Sequence, residues 1–269
     1  MQIDRARIAI RERTWLDNLD LALQVIRTNV AGIVGAALVG VLPMILLNWA
    51  IIEAAHGDQL SEGSDVDAML LGTLLVMIEA PLATAAVTLY LGQALFLERP
   101  SGKRIARELL SCLPQLLLFQ VIIRSVLIVP VLTWIVPYAL WPYLNEVILL
   151  ERNPLTSRNG QISTLKRNSL LHRSSGGDYL VRAIGAGLLS VMLIAAIWVT
   201  QGMLMEMLLG VEEGWTAQII SLQCALWIVA VYFCVARFLS YLDQRIRSEG
   251  WEVELFLRAQ RDRLTRQAA

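Results

Sequence analysis

Long apolar blocks, nearly free of charge, alternate along this chain with shorter polar segments. A helix crosses the hydrocarbon core of a bilayer with about 20 mainly apolar residues, so each block of that length predicts one span. Four blocks read directly, at about 29–52, 68–97, 179–206 and 216–241. The remaining tract, Leu109 to Leu150, is too long for one crossing. As a single helix it would extend about 63 Å, twice the hydrocarbon thickness. Pro130 lies near its midpoint, and the residue before a proline is a natural helix end. The tract therefore predicts two spans, about 109–128 and 131–150, joined by a tight apolar turn. Pro137 and Pro142 are expected to kink the second, because proline removes a backbone donor. Pro114 falls in the first turns of the other span, where it is better tolerated.

The flanks carry a different pattern. Leu16, Leu19, Leu23 and Ile26 recur at helical spacing among Asp17, Asp20 and Arg27, which predicts an amphipathic helix lying on the membrane or against the bundle. Between Pro154 and Asp178 one short helix is expected around Ile162–Leu171. Ser174, Ser175, Gly176 and Gly177 then read as a flexible turn. Beyond the last span, Leu242, Ile246, Val253, Leu257 and Leu264 share one helical face if Gly250 does not break the helix. That tail reads first as an interfacial helix and second as a docking helix for a partner. The expected organisation is an arm at 1–28, a six-helix transmembrane domain at 29–241 and a tail at 242–269. The fold class is all-α: a polytopic membrane protein with amphipathic N- and C-terminal cytoplasmic helices.

Composition agrees with this reading. The chain is 56% hydrophobic and 17% charged, where a soluble domain carries about 25% charge. Disorder is excluded and a soluble enzyme disfavoured. Its 23 basic and 23 acidic residues cancel, which argues against a nucleic-acid partner attracted by bulk basicity. Their placement is more informative than their sum. Lys and Arg accumulate in cytoplasmic loops. With six spans every basic segment faces one side, including Arg99 to Arg107, Arg152 to Arg173 and the two arms. The loops at about 53–67 and 206–215 hold no Lys or Arg. With five spans the basic loop 151–178 would be translocated. The six-span reading gives +8 inside, −8 outside and two charges of each sign within the membrane. Both termini are then cytoplasmic, in a bacterial cytoplasmic (inner) membrane. The first apolar block starts late and is longer than a signal-peptide core, so no cleaved leader is expected.

Trp49 and Trp215 fall near the outer interface and Tyr179 and Tyr241 near the inner one, levels that amphipathic aromatics favour. Small residues mark contact ridges, since apolar burial does not drive helices together in lipid. Gly32, Ala36 and Gly40 share a face, as do Ala80, Thr84, Thr88 and Gly92, and Ala183 with Gly187.

Four charges lie inside the spans: Glu79, Arg124, Glu146 and Arg182. By depth they sort into an outer Glu79–Arg124 couple and an inner Glu146–Arg182 couple, each an expected ion pair between helices. Such charges either fix helix register or line a solute or proton path. Glu79 is the deepest, about 16 Å below Ala68 at 1.5 Å per residue. Pro81 follows it and frees a backbone carbonyl. Cys112, Cys224 and Cys234 read as small buried hydrophobes, and His56 and His172 as solvated loop residues. No HExxH, GxSxG, Walker A or dinucleotide fingerprint occurs. No enzyme activity, cofactor or metal is therefore expected.

The C-terminal motif Tyr241, Asp243, Arg245, Arg247, Glu249, Gly250, Trp251 and the stretch with Asn145, Glu146, Glu151, Arg152 and Asn153 resemble a group of uncharacterised bacterial six-span proteins. These are similar to the glycerophosphoryl diester phosphodiesterase membrane domain. The resemblance implies a shared membrane scaffold. It does not imply the phosphodiesterase activity, which needs a separate soluble catalytic barrel. The leading expectation is a non-enzymatic scaffold or accessory protein whose partners are the lipid bilayer and another membrane or envelope component. The alternative is a small-solute transporter or channel using Glu79 and the paired intramembrane charges. No repeat relates the two halves, which weighs against the transporter.

Overall fold

The computed structural model describes residues 14–56, 65–95, 97, 100–128, 141–157, 162–172, 176–210 and 214–249. Helix α1 (Trp15–Thr28) opens with a capping box. The Thr14 hydroxyl accepts from the Asp17 N–H at 3.2 Å, and the Asp17 carboxylate accepts from the Thr14 N–H at 2.9 Å. Two N–H groups that the helix itself leaves unpaired are thereby satisfied. Helix α2 (Val30–His56) is long and apolar throughout. Helices α3 (Asp65–Ala83) and α4 (Ala85–Ala94) form one rod interrupted at Thr84. Helix α5 (Gly102–Leu116) runs through a π-helical stretch, Leu117–Ile123, into Arg124–Ile128. Helix α6 (Leu144–Glu146) continues as π-helical Val147–Glu151. Then follow α7 (Thr164–His172), α8 (Gly176–Leu209) and α9 (Trp215–Glu249). Among the described residues there is no strand.

Among the described residues five helices are long and apolar enough to cross a membrane: Val30–His56, Val66–Ala94, Gly102–Leu127, Asp178–Leu208 and Thr216–Ser248. The turn expected at Pro130, the kink at Pro137 and the first half of the 131–150 span lie outside the described residues. The second half is present as α6, whose Leu144, Val147, Ile148 and Leu149 are buried.

Several local expectations change. Pro142 kinks nothing within the described residues: it sits in the turn before Leu144, where its missing N–H removes no helical bond. Pro114 is interior rather than in the first turns, because α5 already starts at Gly102. The π-helical stretch begins three residues past it, while the bond that Pro114 removes is the one to the Leu110 carbonyl. Gly176 and Gly177 open α8 rather than forming a turn, and Ser174 and Ser175 lie outside the described residues. The tail expected from Leu242 starts as an unbroken extension of α9 to Glu249.

Helix α9 is the centre of the bundle, with α1, α3, α4 and α8 packed around it. Helix α2 closes on α3 and α4. The glycine ridge of α2 is a real contact. A Cβ at Gly32 would sit 1.9 Å from the Tyr90 hydroxyl, and one at Gly40 would sit 1.9 Å from the Ala83 carbonyl oxygen. Gly92 likewise faces Leu150 at 2.7 Å. Gly187, by contrast, faces open space, so the expected ridge on α8 is not a contact there. Tyr179 and Tyr241 do not face lipid. They are buried against Tyr143, Tyr179 edge-on and Tyr241 tilted, with ring centroids 5.8 and 6.0 Å away.

These contacts separate two substitutions that look alike in sequence. Gly40→Ala forces the Ala83 backbone to move and should lower the unfolding free energy in detergent by about 1–3 kcal/mol, the usual cost of overpacking. Gly187→Ala should leave stability unchanged or raise it by up to about 1 kcal/mol, the difference in helix propensity. Equal effects at both positions would contradict the packing.

Candidate functional site

The interruption of the second rod organises the polar interior. Pro81 has no N–H, so the Met77 carbonyl four residues earlier loses its helical donor. Arg124, on the far end of the α5 rod, donates from Nε to that oxygen at 3.2 Å. Thr84 adopts φ −86°, ψ 0° and breaks the helix. The Pro81 carbonyl, whose helical donor would be the Ala85 N–H just past the break, accepts from Asn145 Nδ2 at 3.0 Å. Thr84 turns its hydroxyl back onto the Ala80 carbonyl at 2.6 Å. Its own carbonyl accepts from the Cys234 thiol at 3.6 Å. Side chains from α5, α6 and α9 therefore attend one break in a fourth element. Polar atoms at such a depth have no water to turn to, so each unmet carbonyl costs several kcal/mol.

Glu79 lies one turn before the break and is 7% exposed. Among the described residues it forms no ion pair, and the Asn48 side chain of α2 is its polar neighbour. Asn48 Nδ2 donates to Gln223 Oε1 of α9 at 3.4 Å. Gly72 of α3 makes room for that amide, since a Cβ there would lie 2.4 Å from Gln223 Nε2. Three helices thus meet through a carboxyl and two amides. Glu79 Oε2, Asn48 Oδ1 and Trp227 Nε1, one turn along α9, have no hydrogen-bond partner and are buried.

Toward the α1 end of the bundle the buried carboxylates have cations. Glu146 is fully buried, and Arg237 Nε binds its Oε1 at 2.7 Å. Glu151, where α6 ends, gathers Arg167 at 2.6 Å and 2.9 Å, the Tyr241 hydroxyl at 2.8 Å and Asn153 Nδ2 at 3.1 Å. Burial alone would raise the Glu151 carboxyl, but the hydrogen bonds of Arg167 and Tyr241 and the charges of Arg167 and Arg245 outweigh it and hold it below the usual carboxylate range. Arg152 leaves the helix with φ 53° and pairs with Glu108 of α5 at 2.8 Å. Gln244 Nε2 donates to the Leu171 carbonyl at 2.9 Å and ties α7 to α9.

The expected couples are thus rearranged. Arg124 reaches the helix of Glu79 but bonds the Met77 carbonyl and Gln120, at 3.2 and 3.4 Å. The inner partner of Glu146 is Arg237, not Arg182. Arg182 lies 4.0 Å from Asp178 on its own helix and 5.7 Å from the Tyr179 ring. The C-terminal motif and the stretch from Asn145 to Asn153 meet at the Tyr241–Glu151 hydrogen bond. Asp243 pairs with Arg247 at 3.1 Å. Glu249 ends α9, and Gly250 and Trp251 lie outside the described residues. The neutral residues Asn48 and Gln223 escape a search for buried charge, and their only signal is an amide within an apolar block. Among the described residues no cluster of His, Cys, Asp or Glu suits a metal ion. No family model, curated protein or solved structure matches the chain.

The exchange of partners at Glu146 has a direct test. Arg237→Ala leaves a buried carboxylate without its cation and should cost about 3–5 kcal/mol in detergent unfolding. Arg182→Ala removes a half-exposed pair and should cost less than about 1 kcal/mol. The reverse order would restore the Glu146–Arg182 couple.

Proposed function

We propose that the chain is a non-enzymatic scaffold or accessory protein that crosses a bacterial cytoplasmic membrane six times, with both termini in the cytoplasm. Five crossing helices and the buried α6 support the span count, and the sorting of basic and acidic loops supports the orientation. The arrangement of the two motifs supports kinship with the glycerophosphoryl diester phosphodiesterase membrane domain as a scaffold alone. The observation that carries the reading is where the polar side chains are spent. Arg124, Asn145 and Cys234 bond backbone carbonyls, and Arg237, Arg167 and Tyr241 lock α6 to α7 and α9. These contacts hold a platform at the α1 end. On it α1 buries Leu19 and Ala22 and turns Leu16 and Leu23 outward, 65% and 58% exposed. That outward stripe suits the interface or a partner helix.

Crosslinking in native membranes followed by purification of the full chain tests this. One defined membrane or envelope protein should be recovered, and the yield should fall at least about tenfold for Leu16→Asp/Leu23→Asp, the change set by roughly 1.4 kcal/mol of lost contact. Recovery of no partner above background contradicts the scaffold. Ion or solute flux into proteoliposomes above that of protein-free vesicles would favour the transporter instead.

A further inference from the structure

We propose that Glu79 is a proton-binding site inside the bundle, and that the bound proton closes an acid–amide pair with Asn48. The inference goes beyond the scaffold reading and holds equally for a transporter. It begins with an accounting of atoms. The Glu79 carboxyl lies beside the Asn48 side chain. Among the described residues Glu79 Oε2 and Asn48 Oδ1 have no partner, and an amide oxygen cannot donate. A bond between the two side chains in the ionised state therefore runs from Asn48 Nδ2 to the other carboxylate oxygen. Nδ2 carries two hydrogens, and the other serves Gln223 Oε1. What remains is one carboxyl oxygen and one amide oxygen, both buried and both acceptors. Among the described residues neither accepts a hydrogen bond. A proton taken from water onto Oε2 turns the carboxylate into a neutral acid. The new O–H faces an amide whose oxygen has open lone pairs, and the two bonds form the ring of an acid–amide dimer.

The charges around the site favour this over an ionised carboxylate. On its own rod and on α4 no basic residue lies near it, and Tyr90 is eleven positions further on. From α2 the only titratable residues are Glu53 and His56, beyond Asn48 toward the helix end. From α9 the neighbouring turns offer Cys224. From the α5 rod comes Arg124, bonded to Met77 and Gln120. An anion so placed is not compensated by hydrogen bonding to a cation and costs several kcal/mol, whereas the neutral acid does not.

Infrared spectroscopy of the full chain in phosphatidylcholine vesicles at neutral pH tests the assignment. The wild type should show the carbonyl band of a protonated carboxylic acid that shifts on deuteration. Glu79→Gln should lose it, and Asn48→Leu should move it to higher frequency as the amide partner disappears. Glu79→Gln presents an N–H where the acid has an O–H, so its melting temperature in detergent should match the wild type. A wild-type spectrum without that band overturns the proposal. So does a band abolished by sodium chloride but not by choline chloride at fixed pH, which assigns the oxygens to a metal cation. A Glu79→Gln variant that melts well below the wild type also overturns it.

Discussion

A backbone carbonyl in the hydrocarbon core cannot fall back on water, and this one constraint shapes the bundle. Pro81 deprives Met77 of its donor, and the break at Thr84 frees the Pro81 carbonyl. The replacements come from chain-distant residues, Arg124 on the α5 rod and Asn145 on α6, while Cys234 on α9 adds a second donor to the Thr84 carbonyl, which keeps its helical Thr88 N–H. A defect in one element therefore fixes the register of three others. Gly40 adds a fourth, since α2 approaches so closely that a Cβ there would strike the Ala83 carbonyl. Non-helical backbone is tolerated at membrane depth only where protein surrounds it, and Pro81–Thr84 meets that condition through named side chains.

The polar groups on either side of the break differ in character. Toward the α1 end, Glu146 and Glu151 have cations, and their contacts join α6, α7 and α9. Buried ion pairs of this kind set specificity more than stability, because desolvation consumes most of their Coulombic gain. On the other side, Glu79 has amides instead of a cation. The first arrangement suits a fixed platform. The second leaves a group whose charge state depends on its surroundings. The same chain thus combines a locked half with a half that retains an ionisable choice.

The spans were legible because hydrophobic length is a one-dimensional property. The four directly read blocks reappear as helices, as does the amphipathic segment that became α1. The start of α5 was not legible, since its first turns from Gly102 are polar on one face and carry Lys103, Arg104 and Arg107. Azimuth was not legible, and at one position neither was depth. Arg237 falls inside the block 216–241 but counts with the cytoplasmic basic residues in the six-span tally, so only Arg182 was matched to Glu146. The choice falls on Arg237 because α9 is central, whereas α8 packs mainly along α9 and exposes Val181, Leu188 and Met192. The freed carbonyl at Pro81 could be read from a single proline. Its donor could not, because Arg124 lies 47 positions from Met77.

The most direct measurement is a double-mutant cycle between Pro81 and Arg124 by reversible unfolding in mixed micelles. Pro81→Ala returns an N–H to the Met77 carbonyl, so Arg124→Leu should then cost at least about 1 kcal/mol less than it does in the wild-type background, within the range of coupled neighbours. Additivity of the two substitutions to within about 0.5 kcal/mol would mean that Arg124 does not answer the bond Pro81 removes, and the break would lose its place as the organising feature of the fold.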